Sequence, residues 1–131
     1  MNRWENEPDM KFWIDGASGY DCLILRMEWS GHLTVYVRVP VGHPWHGKDY
    51  DAIDADVHGG LTYASDRRPM RIIDGEKAEV PDAPQGYWVG FDAAHLGDLT
   101  PRYPHETDTY RDMDYMANEC ALLAKQARDA A

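Results

Sequence analysis

Between His32 and Pro40 the apolar residues fall on every second position, with Leu33, Val35, Val37 and Val39 alternating with Thr34, Tyr36 and Arg38. That is the period of a half-buried strand. Just upstream, within Gly19 to Trp29, the run Cys22-Leu23-Ile24-Leu25 continues into Met27 and Trp29 and predicts a second strand. Ser30-Gly31 separates the two, so they pair as a hairpin. Tyr87 to Phe91, an aromatic and β-branched run after Gln85-Gly86, predicts a further core strand. Leu61 to Ala64 predicts a shorter one. Arg67 to Pro84 is charged and proline-bearing and reads as a surface insertion in which Met70 to Ile73 adds an edge strand. Pro101 and Pro104, within Leu99 to Glu106, close off the sheet region.

From Asp108 onward the period becomes helical. Tyr110, Met113, Ala117, Cys120, Ala124 and Ala127 recur at three- and four-residue steps, widened by Met116 and Leu123, with Asp112, Asp114, Glu119, Lys125 and Arg128 on other faces. The pattern predicts an amphipathic helix over 107–129, capped by Thr107, Asp108 or Thr109. Residues 1–9 are polar and aperiodic, a loose arm or a short edge element. The whole is an α+β protein: one domain over 1–131, an antiparallel sheet core with a long loop, and one C-terminal helix packed on the sheet.

The long loop is Val41 to Gly60, rich in Gly, Pro, His and Asp, with one helical turn expected around Tyr50 to Ile53. Structureless connections of this length are uncommon in compact domains and tend to carry function. It contains His43-Pro44-Trp45-His46-Gly47-Lys48-Asp49-Tyr50-Asp51 and runs through Asp54 and Asp56 into His58-Gly59-Gly60-Leu61-Thr62. The two glycines let backbone approach a ligand without a Cβ in the way, and their N–H groups suit an anion such as phosphate; a tight turn is the alternative. A second motif, Phe91 to Asp98, leaves a strand through small residues and carries Asp92, His95 and Asp98. If the Leu61 and Tyr87 strands are neighbours, His58 and His95 come within reach of one another.

Two His with one or two Asp suffice for a metal ion or for a His-Asp base. No HxH or HExxH spacing occurs, so no metal is assigned and no cofactor is expected; the candidate ligands are His58, His95 and Asp56. The candidate ligand-binding set is Lys48, Tyr50, His58, Gly59, Gly60, Thr62, Trp88, Asp92, His95 and Asp98. Were the protein an enzyme, His58, His95, Asp92 and Asp98 would carry the reaction. His43, His46, His32 and His105 are read as surface residues. Trp45, Tyr50, Tyr63, Trp88 and Phe91 either stack on a ligand or fill the core.

Composition narrows the partners. Of 131 residues, 44% are hydrophobic and 11% aromatic, enough for one core. A net charge of −10 disfavours direct nucleic-acid or anionic-lipid binding, leaving solubility or, less simply, imitation of nucleic acid toward a protein partner. Met1 to Glu7 has no charged-then-apolar leader pattern, and no stretch is long enough to span a bilayer, so the chain is expected to stay in the cytoplasm where it is made. Cys22 and Cys120 form no framework and are read as buried, reduced thiols.

The runs over 42–64, 87–101 and 110–126, with VHGGLTY and GFDAAHLGD at their centres, resemble a family of small proteins of tailed bacteriophages and prophages. The likeness implies an accessory protein in the cytoplasm of the infected host and brings no established reaction. The resemblance leads one to expect a Cys where Ala93 or Ala94 stands, so it carries over no thiol role to this turn. Three expectations follow. One is counter-defence by binding and sequestering a small nucleotide-like or phosphorylated ligand. Another is a metal- or His/Asp-dependent hydrolase of a phosphate-containing substrate. The third is an acidic inhibitor of a host defence protein. The wide helix stripe also suits a homo-oligomer.

Overall fold

A computed structural model of the chain describes residues 3–80, 83–95 and 97–131. Residues 1–2 of the expected arm, 81–82 of the surface insertion and 96 of the second motif lie outside them. The main sheet has five strands in the order β1-β2-β3-β7-β4, all antiparallel. They are β1 (Met10–Ile14), β2 (Asp21–Arg26), β3 (Leu33–Val39), β4 (Tyr63–Ser65) and β7 (Tyr87–Asp92). A second sheet is the hairpin β5 (Arg71–Ile73) with β6 (Glu76–Ala78). One helix, α1 (Met113–Ala130), lies against β2 and β3. No helix among the described residues is long and apolar enough to cross a membrane.

The alternation in β3 sorts its side chains between two cores. Leu33, Val35, Val37 and Val39 join Cys22, Ile24, Val89 and Phe91 under the helix, where Met116, Cys120, Leu123, Ala124 and Ala127 are fully buried. On the opposite face Leu23, Leu25, Tyr36 and Trp88 pack with Val80 and Ala83. Because both faces of β2 are covered, its apolar run is unbroken rather than alternating. Gly90 on β7 lies between Tyr36 and Tyr63 in register, and their rings meet at 5.2 Å. A Cβ at Gly90 would sit 2.0 Å from the Val35 carbonyl oxygen, so no larger residue fits. Cys22 and Cys120 are buried free thiols, and burial pushes the Cys120 thiol up.

Several expectations need correction. Residues 7–9 are not loose: the Glu7 carboxylate accepts the Met113 backbone N–H (2.7 Å) and the Tyr110 hydroxyl (2.5 Å) and pairs with Arg26 (3.3 Å). The edge strand lies just beyond, at β1, where Met10 and Phe12 pack on one face and Trp13 on the other. Met70 to Ile73 does not extend the main sheet. It turns back on itself through Asp74-Gly75 (φ 53° and 80°), the Asp-Gly turn that favours a two-residue hairpin. The helix begins at Met113, capped by Asp112, whose side chain accepts the Tyr115 N–H at 2.8 Å. Thr107, Asp108 and Thr109 are not the cap because Thr109 pairs in parallel with Asp98: Leu99 N–H donates to Thr109 C=O and Thr109 N–H to Gly97 C=O.

Candidate functional site

Strand β4 pairs with β7, and Thr62 N–H donates to the Gly90 carbonyl at 2.9 Å. This adjacency brings the end of the long loop and the exit of β7 together. His58 and His95 meet with ring centroids 5.9 Å apart. Asp98, 5% exposed, lies between them. Its two carboxylate oxygens accept His58 Nε2–H (2.8 Å to each), Arg111 Nε–H (2.9 Å) and the His95 backbone N–H (3.1 Å). Burial alone would raise the Asp98 pKa, but the bonds from His58, Arg111 and His95 outweigh it and hold the carboxyl below its ordinary range.

His58 uses both ring nitrogens. With Nε2–H on Asp98, Nδ1 accepts the Tyr115 hydroxyl at 2.9 Å. Its backbone N–H donates to Glu119 Oε1 at 2.9 Å. His95 differs: its Nδ1 is buried and has no hydrogen-bond partner among the described residues. Asp92 Oδ1 and Asp98 Oδ2 each lie 3.6 Å from it, too far for a hydrogen bond. Asp92 is itself engaged, accepting the Ala94 N–H (3.0 Å) and the Thr62 hydroxyl (3.3 Å). A buried polar atom left unpaired carries a desolvation cost of about 1–3 kcal/mol, which a proton acceptor or an ion in the gap would relieve.

Gly59 is required here. Its φ is +69°, and a Cβ would lie 2.3 Å from His95 Nδ1, so the loop closes over the imidazole only without a side chain. The glycines do not form an open anion nest, however. His58 N–H is taken by Glu119 and Gly60 N–H by the Val57 carbonyl (3.0 Å), so the stretch is a tight turn.

The remaining candidates are dispersed. Trp88 is fully buried in the core on the far face, with its Nε1–H on the Pro84 carbonyl, and Phe91 is 1% exposed. Trp45 is likewise core. Lys48 and Tyr50 are exposed in the loop, Tyr50 opening the 3-10 turn Tyr50–Ala52, and neither bonds the cluster; the Lys48 carbonyl accepts the Tyr87 hydroxyl. Asp56 points its backbone N–H at Gln126 Oε1 and is exposed, so among the acids it is Asp98 that joins the two histidines. His46 and His105 are exposed as expected. His43 and His32 are not surface residues. His43 bridges the Ala127 carbonyl (2.6 Å) and the Trp45 N–H (2.9 Å), and His32 pairs with the Ser30 hydroxyl.

Three partners escaped the sequence reading. Tyr115 and Glu119 are four apart, hence on one helix face, and both reach His58. Arg111 stands just before the cap, with its guanidinium 5.2 Å from the Tyr115 ring, and so meets Asp98 from outside the helix.

His58, His95 and Asp98 thus offer one ligand atom each, all within 4.8 Å of one another. Bonds of 2.0–2.2 Å to one zinc-like ion place ligand atoms about 3.4 Å apart, and Asp98 Oδ2 lies 2.8 Å from His58 Nε2 and 3.6 Å from His95 Nδ1. No family model matches the chain, and neither the curated proteins nor the solved structures contain a match to it.

Proposed function

We propose that His58 Nε2, His95 Nδ1 and an Asp98 oxygen hold a divalent transition-metal ion, and that the protein is a metal-dependent hydrolase of a phosphate-containing substrate. The observation that carries this reading is the buried, unpartnered His95 Nδ1 facing Asp98 and His58. Two imidazoles and a carboxylate suit Zn, Mn or Fe, and three protein ligands leave positions for water and substrate. With His58 Nε2 as a ligand, the His58 proton would sit on Nδ1 and donate to the Tyr115 hydroxyl oxygen, the outer bond a ligating histidine normally makes. Arg111 and the His95 N–H keep Asp98 oriented. Asp92, whose Oδ1 lies 3.6 Å from the same His95 Nδ1, would serve as a fourth ligand or as the base for the attacking water. Water then adds to phosphorus as the bond to the leaving oxygen breaks, and the water proton passes to Asp92.

The resemblance to phage proteins suggests that the substrate is a nucleotide-like signal of the infected host and the role counter-defence. Sequestration without turnover is the second reading, favoured by the open space over Gly60, where a Cβ would meet nothing within 4 Å. The test is release of p-nitrophenol from mono- and bis-p-nitrophenyl phosphate by protein loaded with Zn or Mn. Metal-dependent turnover that falls at least 100-fold in Asp98→Asn supports the hydrolase. Loaded protein without turnover, yet stabilised by nucleotides, supports sequestration instead.

A further inference from the structure

A second group of residues outside that cluster is arranged for a ligand. Between the β5–β6 hairpin and the turn joining β2 to β3 lies a cleft of about 280 Å³ lined by Arg26, Met27, Glu28, Arg71, Ile73 and Arg102, among others. It adjoins a recess of about 440 Å³ that shares Arg26 and Arg102. The hairpin is fixed against the main sheet because the Glu28 carboxylate accepts the N–H groups of Asp74 (2.7 Å) and Gly75 (3.2 Å). The opposite wall is fixed as well: Arg102 N–H donates to the Ser30 carbonyl at 2.8 Å, and Gly31 is pressed on Pro101 so closely that a Cβ would lie 2.9 Å from its ring.

Three arginines, Arg26, Arg71 and Arg102, line this cleft against two carboxylates, Asp9 and Glu28. Arg26 is consumed by Glu7, Asp9, the Gly31 carbonyl and the Tyr110 hydroxyl. Asp9 is thereby paired, whereas Glu28 accepts two neutral N–H groups of the hairpin turn and keeps its charge. Arg71 and Arg102 are left, and among the described residues neither side chain has an ion pair or hydrogen bond. In a protein with 23 acidic and 13 basic residues, two arginines that line one cavity and pair with no carboxylate among the described residues are a local exception to the overall field.

We infer that this cleft is a binding site for a small phosphate-type anion, held by Arg71 and Arg102 and carried on a compact, partly apolar body that rests on Met27 and Ile73. The guanidinium fork matches tetrahedral oxyanions bidentately, and two such groups suit a dianion better than a single carboxylate. The Glu28 carboxylate on the wall repels an extended acidic chain, which favours a small molecule. The site stands apart from the His58 cluster and does not depend on a metal there.

The experiment is an amide NMR titration of metal-free protein with inorganic pyrophosphate, at ionic strength held constant with sodium chloride. Saturable shifts are expected at Gly31, Arg71, Ile73 and Arg102. They should persist in His95→Ala and weaken at least tenfold in the Arg71→Gln, Arg102→Gln double variant, whose spectrum also reports that it is folded. Shifts that fail to saturate, that survive in the double variant, or that move only His58, His95 and Asp98 would overturn the inference.

Discussion

His43 and His95 are both drawn into the protein from loops, yet they end in opposite states. Around His43 every polar atom is spoken for: Nε2 meets the Ala127 carbonyl at the end of the helix, Nδ1 takes the Trp45 N–H, and the ring packs edge-on against Tyr20 and Trp45. Around His95 the backbone is satisfied, but the buried Nδ1 faces two carboxylates at 3.6 Å and bonds neither. The first arrangement ties the long loop to the helix. The second leaves a buried polar atom without a partner among the described residues. His43 is buried as a residue and His95 only half-buried, but what divides their buried ring nitrogens is hydrogen-bond satisfaction.

The comparison can be broken most severely by metal. Free Zn at about 1,000 times its dissociation constant should add about 4 kcal/mol to the unfolding free energy of the wild type and nothing to that of His95→Ala, read by urea denaturation. In metal-free buffer the same variant should cost little, since Nδ1 bonds nothing. His43→Ala should do the reverse. It strands the Ala127 carbonyl and the Trp45 N–H in the interior and should cost about 2–4 kcal/mol, with metal affinity unchanged by calorimetric titration.

Gly59→Ala should cost about 1–2 kcal/mol through its positive φ, but should weaken metal binding at least tenfold because the new Cβ displaces the His95 ring. The smallest effect concerns His32. Burial lowers its pKa, and the fields of Asp92 and Asp98 only partly oppose this. Below the ordinary value of 6.5 the unfolded chain therefore takes up a proton that the folded chain refuses, so stability falls as pH drops through that range. In His32→Asn that part of the slope should vanish from the pH dependence of the denaturation midpoint.

How much of this was legible in the chain depended on distance along it. The β2–β3 hairpin, β7 and the helical stripe were readable because each is written in a local period that the core then uses. The helix start was misplaced by a long-range pairing, Thr109 beside Asp98, which no window over 107–113 contains. His43 was read as a surface residue because its main partner lies 84 positions away. The meeting of His58 and His95 followed once β4 and β7 were taken as neighbours, but the choice of Asp98 over Asp56 was set by three separate donors converging on one carboxylate. Asp74-Gly75 and the Tyr115 and Glu119 pair were visible locally and carried the signal for a hairpin and for a polar helix face.

The central claim is that the unpartnered His95 Nδ1 is a metal ligand, and the most direct measurement is X-ray absorption at the zinc edge of protein loaded with one equivalent of Zn. The account predicts a shell at about 2.0–2.2 Å containing two imidazole nitrogens and carboxylate oxygen, with one imidazole lost in His95→Ala. A spectrum without imidazole scattering, or one that is the same in wild type and His95→Ala, would contradict it.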